Sequence, residues 1–299
     1  MSITLFQGRS GLLVGALAGL MMAGWSLSSH AQVACTTDNW SFATENAVAG
    51  TQGPNNRRYG GPCGLRANAA SSFSFVRDDS PAAETSYIAR FYAFLDNVNG
   101  PAIIFQARDT GERSLITVTY NEPTNGALAL DVRDADNELQ RLVVTDIGRG
   151  WHSIEIKWEA SDNADIRLAL NTTEADDEDV QFQPDTSGLA VSSALLGIIN
   201  GDDVSVSGTA DFDDFDSRRI SRPGRLCRGL TVPEGTGAGQ RTALALADVS
   251  AVFAEVSSFG VNAAGGQPDF DENGAVNLGD VSAIFSRVSA FQTACDLNR

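Results

Sequence analysis

Lysine is nearly missing from this chain. Among 299 residues only Lys157 is a lysine, and histidine occurs twice, at His30 and His152. Lysine plus arginine number 21 against 38 acidic residues, a net charge of −17. Residues 1–31 carry one charge, Arg9, so without them the balance is 20 against 38, or −18. Nucleic-acid binding draws on basic contacts to phosphate, which excludes that class. Anionic membrane surfaces are excluded for the same reason, and the acidity acts mainly on solubility. Beyond the leader a single histidine remains. That rules out a multi-histidine zinc site and leaves His152 as the one candidate base for a Ser-His-Asp arrangement. Long apolar runs are scarce too. The run from Gly11 to about Trp25 is too short to span a bilayer comfortably. It follows Arg9 and leads to Ser29-His30-Ala31, with small residues three and one before Gln32, the layout of a secretory signal. Residues 1–31 are therefore expected to be a signal peptide. The mature protein is expected to be secreted, periplasmic or extracellular, with no membrane insertion.

Cysteine is also sparse: Cys35, Cys63, Cys227 and Cys295. Export makes disulfides the expectation. Four cysteines allow three connectivities, and the sequence does not choose among them. Domain limits favour Cys35 with Cys63, at the start of the large domain, and Cys227 with Cys295, flanking the C-terminal repeat described below.

From Trp40 to Arg219 the chain is β-patterned and lacks a helical stripe. Short, often alternating strands are expected at 72–77, 87–96, 102–108, 115–120, 127–133, 139–145, 152–158, 165–170, 180–183, 194–199 and 210–217. Turn residues such as Asn99-Gly100, Asn125-Gly126 and Asn200-Gly201 divide them. This predicts a mostly β fold, an antiparallel β-sandwich of jelly-roll type. About 180 residues suffice for one core. The strand Gly150-Trp151-His-Ser-Ile154-Glu-Ile156-Lys-Trp158, the later Asp211-Phe-Asp-Asp-Phe-Asp216-Ser-Arg-Arg219, and the early segments Gly64-Leu-Arg-Ala, Val76-Arg-Asp-Asp-Ser-Pro81 and Tyr87-Ile-Ala-Arg-Phe-Tyr92 resemble the concanavalin A-like lectin/glucanase (laminin G-like) jelly roll over most of residues 36–220. The resemblance implies an exported bacterial protein that binds a polysaccharide or cell-surface glycan.

Glycosidases of this fold class place two carboxylates across the scissile bond, commonly as Glu-x-Asp-x-x-Glu, and this chain has no such motif. Glu155 and Glu159 share a strand face with Lys157 between them, which reads as an ion-paired solvent face. Asp211 and Asp213 share a face and read as the charged edge of a terminal strand. Glu174 to Asp179 reads as a solvated hairpin tip. His152 reads as a strand residue beside the core. Trp40, Trp151 and Trp158 read as core or as sugar-stacking platforms.

The C-terminal region carries the sharpest motif. Asp269-Phe-Asp271-Glu-Asn273-Gly274-Ala275-Val-Asn277-Leu-Gly-Asp280 has oxygen donors at loop positions 1, 3, 5, 9 and 12 and glycine at position 6, the spacing of a Ca²⁺ loop. Asp269, Asp271, Asn273 and Asp280 would give side-chain oxygens, Ala275 its carbonyl, and Asn277 a direct or water-mediated contact. Val281, Ile284, Phe285, Val288 and Phe291 then form a helical stripe. The segment 245–259 repeats 277–291 with nine identities in fifteen, at an offset of 32 (280 − 248). In the first copy the ligand positions hold Gly237, Gly239, Arg241 and Ala245, so one ion is expected and Asp248 is expected only to cap its helix. The duplicated loop–helix resembles a dockerin module over about residues 228–294. This implies a small α-helical calcium domain and a cohesin-like partner, with a partnerless structural calcium module as the companion expectation.

The expected organisation is signal peptide 1–31, sandwich 32–221, linker 222–241 and dockerin-like domain 242–299. Three functions stay open: a non-catalytic glycan- or surface-binding protein, a polysaccharide hydrolase or lyase with an unfamiliar acid pair, and a structural or adhesive surface protein.

Overall fold

The computed structural model describes residues 35–51, 58–60, 63–69, 72–171, 180–200, 203, 205–226, 243–257, 268–270 and 275–291. Fourteen strands and two helices are formed among them. The strands are β1 (Phe42–Ala43), β2 (Ala47–Thr51), β3 (Cys63–Ala69), β4 (Ser74–Asp78), β5 (Ser86–Asn99), β6 (Ala102–Arg108), β7 (Ser114–Tyr120), β8 (Leu128–Arg133), β9 (Leu139–Val144), β10 (Trp151–Glu159), β11 (Ile166–Leu170), β12 (Val180–Phe182), β13 (Ser193–Ile198) and β14 (Ser207–Arg218). The helices are α1 (Leu246–Ser257) and α2 (Leu278–Ser289).

The strands make two seven-stranded antiparallel sheets. One has the order β1-β4-β13-β6-β7-β8-β9, the other β12-β11-β10-β5-β14-β3-β2. Their facing sides bury one core. Period-two alternation explains which side chains enter it. On β5, Tyr87, Ala89, Phe91, Ala93 and Leu95 point inward. On β10, Ile154, Ile156 and Trp158 do the same, and on β14 Ala210 and Phe212. Phe91 stacks on Phe105 of the opposite sheet at 5.4 Å between ring centroids. The chain is thus a mostly β sandwich followed by a helical pair.

β14 is not an edge strand. It lies between β5 and β3, and it bulges against β5 between Thr209 and Asp211 and between Asp213 and Asp216. A disulfide joins Cys35 to Cys63, with Cα atoms 5.5 Å apart. It fastens the segment leading into β1 to the start of β3. Cys227 and Cys295 lie outside the described residues.

The helical pair keeps the internal repeat in three dimensions. Leu244 and Val252 of the first copy match Val276 and Ile284 of the second, and these four buried residues make a separate small core. Both helices start without proline or glycine in their first position and carry an acid in the first turn, as the helix dipole favours. No helix among the described residues is long and apolar enough to cross a membrane.

Phe91→Ala is expected to cost about 3–5 kcal/mol, the range for emptying a fully buried aromatic site. Because Phe91 contacts both sheets, the loss should appear as one shifted cooperative transition. Two separated transitions in urea, followed by near-UV circular dichroism, would contradict a single shared core.

Candidate functional site

The outward face of the second sheet is where charge and aromatic surface meet. Its rows follow from strand register. Glu155 of β10 lies opposite Arg90 of β5, and Asp216 of β14 lies opposite Arg90 on the other side. One step along, Ser153, Tyr92 and Asp213 form a row. The next row holds Trp151, Phe94 and Asp211. Arg66 of β3 pairs with Asp211.

This face is covered. Tyr59 stacks on Tyr92 with ring centroids 3.6 Å apart, and with Phe94, Trp151 and the half-buried Leu226 they form a third apolar cluster. The cover comes from two short segments, Arg58–Gly60 and Arg222–Leu226. The second runs back across the sheet directly after β14. Glu155 accepts from Arg222 Nε and, at 2.8 Å, from the Gly224 N–H. Leu226 N–H donates to the Tyr92 hydroxyl oxygen at 2.7 Å, and Arg225 donates to the Asn171 carbonyl at 3.3 Å. Tyr59 and Gly60 N–H donate to Asp213 Oδ2 at 2.6 and 3.0 Å.

Two expectations from the sequence are corrected here. Glu155 is not on a solvated ion-paired face with Lys157. It is 3 % exposed, because the Arg222–Leu226 segment lies on it. Lys157 pairs with Asp165 of the β10–β11 connection and, at 3.9 Å, with Glu159, so the expected pairing holds for Glu159 and not for Glu155. Asp211 is not an edge charge. It is fully buried between β5 and β3 and takes a two-pronged contact from Arg66, at 2.7 and 2.9 Å. Period-two alternation shows which residues share a face, but not which distant segment folds over it.

The tryptophans divide. Trp158 is core, Trp151 belongs to the covered outer face, and Trp40 packs on Phe215 at 5.3 Å. His152 is buried at the end of β10, its Nδ1 3.1 Å from the Asn171 amide nitrogen. A cavity of about 140 Å³ opens between the sheets near the disulfide, lined in part by Trp40, Leu65, Phe212, Asp214 and Phe215. That is below the roughly 300–1,000 Å³ of small-molecule sites. Arg90 and Tyr92 were not singled out from the sequence. An arginine flanked by apolar residues in a long strand was the available signal.

Electrostatics on the face are set by burial. It lifts the Tyr92 phenol well above its usual range, with Tyr59 adding to the effect. Burial, then the neighbouring Asp214 charge, raises the Asp213 carboxyl well above the ordinary carboxylate range, outweighing the N–H donors of Tyr59, Gly60 and Asp214. For Asp165, burial pushes upward, but contacts from Arg167, Lys157 and Gln181 prevail and hold it well below.

Of the calcium-loop residues, Asp269, Ala275, Asn277 and Asp280 are described, and Asp271 and Asn273 lie outside the described residues. Asn277 is the N-cap of α2, accepting from Gly279 N–H at 2.6 Å. Asp280 completes the capping box by accepting from Asn277 N–H at 2.7 Å. Its other oxygen accepts from Phe270 N–H at 2.8 Å. That bond folds loop position 2 onto position 12, so both ends of the loop close together, and Asp269 and Asp280 are both buried. A carboxylate has about four lone-pair sites, so capping leaves Asp280 capacity for a cation. Two carboxylates, an amide and a backbone carbonyl are donors of the oxygen type a hard cation takes, although Asn277 Oδ1 accepts from Gly279, the Ala275 carbonyl accepts from Asn277 Nδ2, and no group of three acids is gathered among the described residues. In the first copy Asp248 is fully buried and accepts from Ala245 N–H at 2.8 Å, the same cap contact.

No family model matches the chain, and no curated protein matches it. Solved structures similar to it include endo-β-1,4-glucuronan lyase from the fungus Trichoderma reesei, at 9 % identity, covering 61 % of this chain and 92 % of that one, with a TM-score of 0.42. Another is the receptor-binding domain of botulinum neurotoxin C/D mosaic serotype, at 11 % identity, 58 % and 44 % coverage and a TM-score of 0.41. A third is the botulinum neurotoxin serotype D ligand-binding domain in complex with N-acetylneuraminic acid, at 12 % identity, 58 % and 43 % coverage and a TM-score of 0.36. The chain thus spans less than half of those neurotoxin domains. At such scores these likenesses carry no functional argument, since one architecture hosts many activities.

Asp213 has a raised folded value, so the folded state keeps its proton to higher pH than the unfolded chain. Its linkage therefore lowers stability as pH climbs from the unfolded value near 4, until the folded group has ionised. Asp213→Asn should match the wild type below about pH 4 and gain on it above, by about 1.4 kcal/mol per unit of difference between the two values. Urea midpoints of both proteins from pH 4 to 9 test this. A constant difference across that range would show that Asp213 does not titrate abnormally.

Proposed function

We propose that the mature protein is exported and non-catalytic, that its sandwich binds a polysaccharide or cell-surface glycan, and that its C-terminal helical pair binds one structural Ca²⁺. The observation that carries the glycan reading is the outer face of the second sheet. It sets Tyr59, Tyr92, Phe94 and Trp151 beside Arg90, Glu155 and Asp213, buried beneath a cover that must lift for a sugar to reach them. Aromatic planes suit the apolar faces of sugar rings, and charged neighbours supply the few oriented polar contacts that fix a ligand. Binding is favoured over hydrolysis because these described acids of the face are engaged in the closed state: Glu155 by Arg222 and Gly224, Asp211 by Arg66, Asp213 by three backbone N–H groups. A general acid or nucleophile needs a carboxyl free to meet substrate.

Export is supported by the leader-like residues 1–31 and by the Cys35–Cys63 bond. The calcium reading rests on the loop spacing and on the closure of the loop by Phe270 and Asp280. Asp269, Asp271, Asn273, Ala275, Asn277 and Asp280 would hold the ion. Leu246, Phe253, Leu278 and Phe285 are all more than half exposed on the helical pair, which supports a docking partner of the cohesin type implied by the dockerin resemblance.

Glycan binding is tested by passing the mature protein over an array of neutral and acidic polysaccharides, with retention of at least one class expected. A blank array, with reducing ends or unsaturated products released from the same panel, would move the protein to the enzyme class. Calcium at a hundredfold excess over its Kd should stabilise the fold by about 2.7 kcal/mol. Asp271→Ala is expected to abolish that gain. Asp248→Ala should lower the baseline by about 1 kcal/mol through its lost cap, yet keep the gain. Equal loss of the calcium response in both variants, read by thermal melts with calcium or chelator, would refute the one-ion arrangement.

A further inference from the structure

Arg90 presents an imbalance that the rest of the fold does not resolve. It is 4 % exposed, and its Nε and Nη1 have no hydrogen-bond partner. Its nearest acid is Asp216, at 3.8 Å from Nη2, and Asp216 is already held by Arg218 at 2.7 Å. Glu155 lies directly across the ladder from Arg90 but is taken by the Arg222–Leu226 strap. A buried guanidinium with unmet donors is costly, and guanidinium geometry matches a carboxylate. Two rows along the same face, Trp151 Nε1 is a second buried donor without a partner. The Tyr92 ring sits between them, with the Arg90 guanidinium carbon 5.3 Å from its centroid. A carboxylate for Arg90 at one end and a hydroxyl for Trp151 Nε1 at the other describe an extended ligand that carries both, its middle lying along the Tyr59–Tyr92 stack.

Tyr59 stays stacked on Tyr92, but the part of the cover that lies over Glu155, beside Arg90, is slight. Residues 222–226 form no regular secondary structure and are only half-buried. Among the described residues Leu226 is their apolar contact with the cluster, and their polar contacts include Glu155, Tyr92, Asn171 and Arg218. Segments with few apolar contacts open at far lower cost than core strands. We propose that the outer face of the second sheet is a binding site for an acidic, uronate-type glycan, with Arg90 as its carboxylate anchor, held closed by the Arg222–Leu226 strap. This deepens the glycan-binding reading and rests on it. Ligand entry requires the strap to lift, and Glu155, released from Arg222, then needs another partner or water. The apparent affinity of the closed protein is therefore reduced by the fraction of time the strap is open.

Gly224 allows a test that leaves charge unchanged. Its φ is +71°, a value proline cannot adopt, and its N–H is one of the two grips on Glu155. Gly224→Pro should therefore loosen the strap. Titration calorimetry of the full mature chain with polygalacturonate oligomers in chelator, and with dextran as the neutral control, is expected to show about tenfold tighter polygalacturonate binding for Gly224→Pro than for wild type. Adding Arg90→Gln should cancel that gain, consistent with the loss of a charge-assisted pair, while the thermal melt still shows a folded protein. Gly224→Pro binding at the wild-type level, or binding that persists unchanged with Arg90→Gln, would overturn the proposal. If polygalacturonate fails with every variant but another glycan binds, only this site assignment falls. If no glycan binds any variant, the wider binding reading falls with it.

Discussion

Ion pairing on a covered sheet face is the constraint on which the sandwich depends. Alternation along β5, β10 and β14 sends apolar side chains to the core and charged ones to the outside, but that outside is roofed by Arg58–Gly60 and Arg222–Leu226. Charges under a roof need partners, since an isolated buried charge is strongly unfavourable. Asp211 finds Arg66, Asp213 finds three backbone N–H groups, and Glu155 finds Arg222 and Gly224. The two covering segments are therefore placed by the acids beneath them, more than by their own apolar content. Removing one acid would free a segment rather than open a cavity.

The architecture was largely legible in the sequence because the central strands alternate. The stretch 102–108 was read with the bounds the structure shows, and 87–96, 152–158 and 194–199 were each read to within a few residues of their bounds. β1 and β2 escaped, and β3 was reached only through the jelly-roll resemblance, at Gly64-Leu-Arg-Ala; all three are short or rich in small and polar residues: Phe42-Ala43, Ala47-Val-Ala-Gly-Thr51 and Cys63-Gly-Leu-Arg-Ala-Asn-Ala69. Their strand character comes from pairing, β1 with β4, β3 with β14 and β2 with β3, a tertiary effect that propensity does not report. The pairing of β3 with β14 is what removes β14 from the edge. The roofed face was illegible for the same reason. Asp213 and Tyr59 are separated by 154 positions, and Glu155 and Gly224 by 69, so no local pattern contains them.

In the helical pair the repeat was legible because it recurs at a fixed offset. What the structure adds is that both copies use one scaffold. Asp248 and Asp280 cap their helices by the same backbone contact, and the four-residue core takes one pair from each copy. The acid at loop position 12 is thus needed for helix initiation in both copies, whatever else it binds. That explains how the first copy can keep Asp248 after losing Asp-type residues at the earlier ligand positions: the cap alone is reason to retain it.

The copies then differ where they face other chemistry. Glu255 of α1 receives a two-pronged contact from Arg58, at 2.8 and 3.0 Å, and Arg58 leads directly into Tyr59 and Gly60, the residues bound to Asp213. The equivalent position in the second copy is Arg287, which lies over the Phe270 ring at 5.8 Å. An arginine there could not accept from Arg58, so only the first copy can make this tie. Losing the ligand set and gaining the acid at 255 are two sides of one divergence: the first helix fastens the pair to the sandwich, while the second keeps the closed acidic loop. Arg58–Gly60 is held at one end by the helical pair and at the other by the charged sheet face. The same three residues therefore link the two parts of the protein and roof its aromatic cluster.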